Sequence, residues 1–477
     1  MPKYRALYER YRGLLESGAF AAGERLPSLR AVAGEEGLGL NTVRAAFGLL
    51  EDEGLVRAHE RGGYYARPRP GASLGAYRPP PSLREAEGLS AAGKIEYLLA
   101  AGGRRAGFAL AEPDPALLPS ARLERLYAAL AGSWIAYGDP AGEEELRRRI
   151  TSTYRRLHGS LEPGDVIVTG GATEAIALAV RAFVRPGDAV ALESPTYYDY
   201  YRHLAAAGAR VVEVPVQPGR GMDLGLLERR LRLGRLAMII AQPNVQNPTG
   251  ATMPDADKRD LVELAARSGA VLVQDDAYGD LAFPRERPAN LSAFGGYERL
   301  VYLSSFSKSL APGLRIGWMS SPGLRDELIK AKGLSSLATN RPAQLVLAAY
   351  LEGPAFRRHL GAMRAALAAQ LEDYLGFLEE ALPEGSTLLR PSGGCLLWIG
   401  LPEGSDASAL FESAAREGIL VAPGELFSAN PYFRGHLRIN FGRRLSPSRR
   451  AQLARLCALA GAARPRRGRR PSLSSSP

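Results

Sequence analysis

The spacing of apolar side chains divides the sequence into two parts. In the first seventy residues, apolar positions recur at helical spacing in three segments, 4–18, 28–36 and 41–53, with glycines and a proline between them. Two short β-like runs follow at 54–57 and 62–66, around a glycine-bearing turn. Helix, turn, helix and β-wing is the order of a winged helix-turn-helix, so we expect a small helical domain that ends in a β-hairpin.

The remainder of the chain alternates apolar β-like runs with helical stretches. This alternation predicts an α/β domain whose sheet is mostly parallel. Ligands of such sheets bind beyond the carboxyl ends of the strands, so polar residues directly after each run are candidate site residues. Between the two parts, residues 67–87 are rich in Pro, Gly and Arg, which predicts an extended linker. The predicted strands are 166–169, 189–193, 210–214, 236–242, 271–275, 300–304 and 316–320.

Composition changes this picture little. The chain has 477 residues, of which 46% are apolar and 23% charged, as in an ordinary globular protein. The net charge of +11 is weak support for a nucleic-acid partner, because it is spread unevenly. A Pro/Gly/Ser-rich tail, which we expect to be disordered, holds five of the arginines: Arg464, Arg466, Arg467, Arg469 and Arg470.

The two cysteines, Cys395 and Cys457, are too few for a disulfide framework or a metal cluster. Both lie in apolar runs, so we expect buried, reduced thiols and no metal site. The N-terminal segment lacks the apolar core of a secretory signal, and no apolar run approaches the length of a membrane span. We therefore expect a cytoplasmic protein.

Three motifs in the first part are more specific than the helix pattern. They read ERLPSLR at 24–30, NTVR at 41–44 and LLEDEGL at 49–55. Together they resemble the GntR family of bacterial DNA-binding domains, which implies a double-stranded DNA operator as partner. By this resemblance, the residues that approach DNA would be Arg30, Asn41, Thr42, Arg44 and, in the wing, Arg61 and Gly62.

The sequence departs from the usual GntR pattern at Gly39-Leu40, before the recognition helix, and at Arg61 in the wing. An alternative interpretation stays open at this point. The first part could be a helical interaction module that does not bind DNA, and its arginines would then be solvated surface charge.

In the second part, Lys308 follows the strand 300–304 in a hydroxyl-rich loop, and Arg315 comes seven residues later. An amine that can lose its proton beside hydroxyl and guanidinium donors suits an aldehyde that forms a Schiff base and carries a phosphate. A lone lysine in a serine-rich loop is more often solvated surface. The surrounding pattern therefore has to decide.

Other strand ends carry polar groups as well. The sequence Gly-Gly-Ala-Thr at 170–173 leads into a helix, whose first backbone N–H groups can bind an anion. Tyr197, Asn247 and the pair Asp275 and Tyr278 follow three further strands. Each motif alone has a simpler interpretation, such as a steric glycine turn or a core tyrosine. Their order and their placement at strand ends are specific only in combination.

In this combination, residues of about 108–459 resemble a fold-type I enzyme of the aminotransferase class I and II family. The resemblance implies pyridoxal 5'-phosphate (PLP) as cofactor. It also implies a large domain with a mixed, mostly parallel sheet and a smaller C-terminal α+β domain.

The resemblance also implies a role for each candidate residue. Lys308 would bind PLP as an aldimine, and Asp275 would pair with the pyridine nitrogen. Tyr278 and Asn247 would hydrogen-bond the phenolic oxygen, and Tyr197 would stack on the ring. Lys308, Asp275 and Tyr278 would be the catalytic residues. The phosphate would be held by Gly171, Ala172, Thr173, Ser305, Ser307 and Arg315.

Two further residues match the family outside the strand ends. Tyr137 lies in a segment that matches the one which, in the family, reaches the phosphate of the neighbouring subunit. This match implies a homodimer. Arg438 matches the arginine that pairs with the α-carboxylate of an amino acid.

The whole chain resembles the MocR subfamily of GntR-type regulators. This resemblance implies a cytoplasmic DNA-binding regulator whose second domain senses PLP or an amino compound, and we favour it. The alternatives are an active PLP-dependent aminotransferase acting on an amino acid and a 2-oxo acid, and a sensor of PLP alone. The expected boundaries are 1–68 for the DNA-binding domain, 69–95 for the linker, 96–462 for the PLP-binding domain and 463–477 for the tail.

Overall fold

The chain forms two compact units, Met1–Ala76 and Tyr77–Pro477. The computed structural model describes residues 3–17, 20, 24–52, 55–59, 63–66, 77–86, 92–100, 107–130, 135–283 and 287–462. Two residues predicted to approach DNA, Arg61 and Gly62, and the basic tail lie outside these ranges.

The described residues of the smaller unit form three helices and an antiparallel pair of strands, as the sequence predicts. Ser28 caps the second helix, since its side chain accepts a hydrogen bond from the Ala31 N–H at 3.2 Å. Val43, Phe47 and Leu50 are fully buried and form the centre of the core. The elements are α1 (Lys3–Ser17), α2 (Leu29–Glu35), α3 (Leu40–Asp52), β1 (Val56–His59) and β2 (Gly63–Ala66).

The larger unit contains the other described helices and strands. Its helices are α4 (Ala92–Ala100), α5 (Ser120–Ala129), α6 (Glu144–Tyr154), α7 (Ala172–Phe183), α8 (Asp199–Ala206), α9 (Leu224–Leu233), α10 (Asp255–Ser268), α11 (Arg325–Gly333), α12 (Arg341–Leu351), α13 (Ala355–Ala381), α14 (Ala407–Arg416) and α15 (Pro447–Ala462). Its strands are β3 (Arg84–Ala86), β4 (Val166–Thr169), β5 (Ala189–Ser194), β6 (Arg210–Gln217), β7 (Gly221–Met222), β8 (Met238–Ala241), β9 (Val271–Asp275), β10 (Leu300–Ser305), β11 (Gly317–Ser320), β12 (Thr387–Leu389), β13 (Leu396–Gly400), β14 (Ala422–Pro423) and β15 (His436–Asn440).

The large sheet runs in the order β3-β6-β5-β8-β9-β10-β11-β4, and β7 pairs with the end of β6. Its five central strands, in sheet order β6, β5, β8, β9 and β10, pair in parallel, whereas β11 is antiparallel to both of its neighbours. The central strands are buried on both faces, which explains their continuous apolar sequences. The expectation of a mixed, mostly parallel sheet is confirmed.

A second, smaller sheet has four antiparallel strands in the order β12-β13-β15-β14. Helices α13, α14 and α15 contribute buried side chains to the core cluster that contains this sheet. The predicted C-terminal α+β part is therefore present. The sheet matters for the site because β15 carries Arg438.

Part of the segment assigned to the linker is folded into the larger unit. Residues 84–86 form β3, which pairs antiparallel with β6 at the edge of the large sheet. Tyr77 and Ile95 are buried in the same core cluster, with exposures of 9% and 1%. These buried side chains hold the segment against the larger unit. A segment with the composition of a linker therefore contains an edge strand.

Both cysteines, Cys395 and Cys457, are free and buried, as expected. None of the described helices combines the length and the apolar character that crossing a membrane requires. In the same described ranges, no group of three His, Cys, Asp or Glu side chains converges in a way that could hold a metal ion.

Candidate functional site

A cavity of about 330 Å³ opens at the carboxyl ends of the parallel strands. Its wall takes residues from the loops after β5, β8, β9 and β10, from the start of α7, from segment 110–112 and from β15. The cavity brings together eleven of the residues predicted for the cofactor and the carboxylate: Ala172, Thr173, Tyr197, Asn247, Asp275, Tyr278, Ser305, Ser307, Lys308, Arg315 and Arg438.

Lys308 lies in the turn after β10, with its amine in the cavity wall. Its Nζ donates a hydrogen bond to the carbonyl oxygen of Ala111 at 2.7 Å and lies 5.8 Å from the centre of the Tyr278 ring. Burial lowers the pKa of the Lys308 amine, because desolvation disfavours its charged form. Loss of the proton, which gives the nucleophilic form of the amine, is therefore easier here than for an exposed lysine.

Asp275 ends β9 and is buried, with 5% of its surface exposed. Its Oδ2 accepts a hydrogen bond from the Tyr200 hydroxyl at 2.6 Å, and its Oδ1 accepts one from the Ala277 N–H at 2.9 Å. Burial raises the pKa of this carboxyl group, and the two hydrogen bonds act in the opposite direction. A protonated ring nitrogen placed here would find an oriented carboxylate.

Tyr200 and Gln242 belong to the site although the sequence did not single them out. The Gln242 Nε2 donates to the Tyr200 hydroxyl at 2.8 Å, and its Oε1 accepts from the Asn247 N–H at 2.9 Å. Gln242 therefore links Asn247 to the support of Asp275. A signal was available, since Tyr200 stands three residues after Tyr197 at a helix start and Gln242 directly follows a buried strand.

Several groups that suit an anion lie together where α7 begins beside the loop that follows Lys308. Gly171 has φ of +95°, and a Cβ at this position would lie 2.7 Å from the Arg315 Nη2. Glycine therefore permits the guanidinium to approach the helix start closely. The Arg315 Nη1 donates to the Ser307 Oγ at 3.1 Å, and the Ser305 and Ser307 hydroxyls are 3.0 Å apart. Hydroxyls, a guanidinium and a helix N-terminus suit a phosphate group.

Arg438 is 2% exposed and forms no ion pair among the described residues. Its Nη2 donates to the Ala109 carbonyl at 2.5 Å, and its Nη1 donates to the Asn247 Oδ1 at 3.1 Å. Its Nε has no hydrogen-bond partner among the described residues. A buried guanidinium with neutral partners and a free N–H is suited to a carboxylate brought by a ligand.

Four tyrosines, Tyr197, Tyr198, Tyr200 and Tyr278, line the cavity. The Tyr197 ring centre is 4.7 Å from that of Tyr198 and 5.7 Å from that of Tyr200, perpendicular to the latter. The Tyr278 hydroxyl donates to the Ala111 carbonyl at 3.4 Å. Tyr197 and Tyr198 therefore offer aromatic surface to a planar ligand.

Tyr137 does not line the cavity. Its side chain is 92% exposed, so within one chain it is not part of the site. In the smaller unit, Arg30, Asn41 and Arg44 are exposed and Thr42 is half-buried. Asn41, Thr42 and Arg44 all stand in the first five residues of α3, as expected for a helix that presents its N-terminus.

The residues present fit a planar, phosphorylated aldehyde. The Lys308 amine, whose pKa is lowered by burial, could bind the aldehyde. The group around Arg315 could bind the phosphate and Asp275 a ring nitrogen, while Arg438 stays available for a second ligand group. The close approach that Gly171 permits is the observation that favours a phosphate most directly.

Replacing Tyr200 with Phe should raise the pKa of Asp275. The variant removes the 2.6 Å hydrogen bond that favours the carboxylate and leaves the burial that disfavours it. Infrared spectra recorded across a pH series should show the protonated carboxyl band persisting to higher pH than in wild type. The matched control is Tyr201→Phe, because the Tyr201 hydroxyl donates to Glu213 instead, at 2.6 Å. Equal titration curves in the two variants would contradict the role of the Tyr200 hydroxyl in stabilising the Asp275 carboxylate.

Two families match separate parts of the chain. Residues 107–455 match the family described as aminotransferase class I and II, and residues 3–65 match the bacterial regulatory proteins of the gntR family. The HTH-type transcriptional regulator YjiR of Escherichia coli K12 is 33% identical over 462 residues, which cover 96% of this chain and 98% of that protein.

Solved structures resemble the larger unit. Kynurenine aminotransferase from Pyrococcus horikoshii, in complex with PMP, has a TM-score of 0.72 and 28% identity, over 78% of this chain and 94% of that chain. The α-aminoadipate aminotransferase LysN from Thermus thermophilus, complexed with N-(5'-phosphopyridoxyl)-L-leucine, has a TM-score of 0.70 and 28% identity, over 77% and 93%.

Proposed function

The chain belongs to the aminotransferase class I and II family and carries a GntR-type regulatory domain in front of it, and from this premise we propose that its larger unit binds PLP through Lys308 and senses PLP or an amino compound. In this proposal the smaller unit binds a double-stranded operator. The arrangement is that of the MocR subfamily. The main support for the ligand site is that Lys308, Asp275 and Arg315 line the same cavity.

PLP would supply an aldehyde for the lysine and an electron-withdrawing pyridine ring. Arg315, Ser305, Ser307 and the start of α7 would hold its phosphate. Asp275, oriented by Tyr200, would keep a proton on the ring nitrogen. Asn247 and Tyr278 line the cavity, where they would contact the phenolic oxygen.

Tyr197 would stack on the ring, and Arg438 would bind the carboxylate of an amino ligand. Ala172 and Thr173 would add backbone N–H groups and a hydroxyl to the phosphate site. The lowered pKa of Lys308 supports its reaction with the aldehyde, since only the neutral amine attacks.

The regulatory function is supported by the family match of residues 3–65 and by the similarity to YjiR along nearly the whole chain. The exposed side chains at the start of α3 support operator contact. The nearly full exposure of Tyr137 supports a homodimer in which this side chain reaches the second copy. We propose a cytoplasmic location, where the operator DNA is.

Transamination is a second candidate function. It is favoured by a specific observation, the lowered pKa of Lys308, since the same amine could take and return a proton at the ligand's amino carbon. Release of a 2-oxo acid product from an amino acid by the purified protein would establish this activity beside the regulatory one.

The variant Lys308→Ala should abolish the visible absorbance of lysine-bound PLP. The physical reason is that no other amine lines the cavity among the described residues. Absorbance spectra of the purified protein with added PLP make the measurement. The control is Lys330→Ala, at an exposed position of α11, which should keep the wild-type spectrum. An unchanged spectrum in the Lys308 variant would refute the lysine assignment.

The variant Arg44→Ala should weaken specific operator binding by about 1–3 kcal/mol if its guanidinium reads a base edge. DNase footprinting on the intergenic DNA upstream of the protein's own gene should show paired protected sites for wild type and weaker protection for the variant. Arg5→Ala, at an exposed position of α1 outside the predicted contact set, is the control. If both variants protect the DNA like wild type, Arg44 is not a contact. If wild type protects no site at moderate salt, the regulator proposal fails.

A further inference from the structure

The cavity wall contains one charged residue that the proposed function does not use. Five charged residues line the cavity, and four of them have a role: Lys308, Asp275, Arg315 and Arg438. The fifth is Glu112. Its side chain is half-buried, and it belongs to a segment that the sequence did not single out.

Glu112 is held in place by the strand that carries Arg438. Asn440, two residues further along β15, donates from its Nδ2 to the Leu110 carbonyl at 2.6 Å and to the Glu112 carbonyl at 2.7 Å. Arg438 donates to the Ala109 carbonyl at 2.5 Å. Residues two apart on a strand face the same side, so the segment runs along one face of β15.

The Lys308 amine contacts the same segment. Its Nζ donates to the carbonyl of Ala111, the residue directly before Glu112. The guanidinium of Arg438 thus contacts residue 109 and the amine contacts residue 111, and Glu112 is the next residue of the segment and lines the same cavity. The charge on Glu112 also raises the pKa of Lys308, whereas burial and Arg438 lower it, which places the carboxylate within electrostatic range of the amine.

From this arrangement we infer that the ligand is an amino acid with a second cationic group, whose α-carboxylate binds Arg438 and whose side-chain amine or guanidinium binds Glu112. The inference rests on the proposed function, because it assumes that the amino group of the ligand would react with the aldehyde of PLP in place of Lys308. An acidic amino acid would place its side-chain carboxylate beside the Glu112 carboxylate, and the repulsion between the two negative charges would weaken its binding. A neutral side chain would leave the Glu112 carboxylate without a partner.

The test compares L-ornithine, L-norvaline and L-glutamate, which share the same carbon chain and differ at its end. Each is titrated into the PLP-loaded full-length protein, and binding is followed by isothermal calorimetry and by the change in visible absorbance. We expect wild type to bind ornithine at least about tenfold more tightly than norvaline, and glutamate least tightly of the three.

Two variants and a control separate charge from shape. Glu112→Gln should lose the preference for ornithine while it keeps norvaline binding, and Glu112→Lys should shift the preference to glutamate. Glu124→Gln, at an exposed position of α5 away from the cavity, should behave as wild type.

The outcomes distinguish this inference from the proposed function. Equal affinities of wild type for ornithine and norvaline, or an unchanged preference in Glu112→Gln, would overturn the inference and leave the proposed function standing. If none of the amino acids binds a protein that shows the absorbance of lysine-bound PLP, both the sensing of an amino acid and the inference fail.

Discussion

The parallel pairing of β9 with β10 fixes the two groups on which the rest of the site depends. Asp275 stands opposite Leu303, so that the carboxylate ends one strand where the neighbouring strand continues towards Lys308. Because both strands point the same way, a carboxylate and an amine from distant parts of the sequence meet at one sheet edge. The groups that suit an anion lie at the start of α7, the helix that follows β4. Strand β4 pairs with the antiparallel strand β11, which lies between it and β10.

Neighbouring carboxylates in this region are stabilised in different ways. Asp276, next to Asp275, pairs with Arg287 at 2.6 Å and accepts hydrogen bonds from Tyr302 and Asn244. Its charge is therefore neutralised inside the protein, and breaking that pair would leave an uncompensated buried charge. Asp275 has hydrogen bonds but no cationic partner among the described residues. This difference leaves Asp275 available for a protonated ligand atom.

Much of the fold and of the site could be predicted because both follow periodic signals. Continuous apolar runs marked the central strands, and the polar residues after them marked Lys308, Asp275 and Asn247. Tyr200, Gln242 and Glu112 were missed because their importance comes from long-range contacts, which leave no local pattern. The strand β3 was missed for another reason. A run of three residues in a proline-rich segment is too short to show an alternation of apolar and polar side chains. These residues form a strand because they pair with β6.

If the larger unit is the sensor of the regulator, as we propose, occupancy of the PLP site changes the affinity of the same chain for DNA. Coupling between two binding sites typically changes an affinity by about fivefold or more. The most direct measurement is operator binding by fluorescence anisotropy. It compares wild type without PLP, wild type loaded with PLP, and PLP-loaded wild type with saturating L-ornithine, and it is repeated for Lys308→Ala under the same conditions. We expect a shift in operator affinity between the PLP-free, PLP-loaded and ornithine-saturated states of wild type, and none for the variant. Equal operator affinities of the three wild-type states would contradict the proposed coupling.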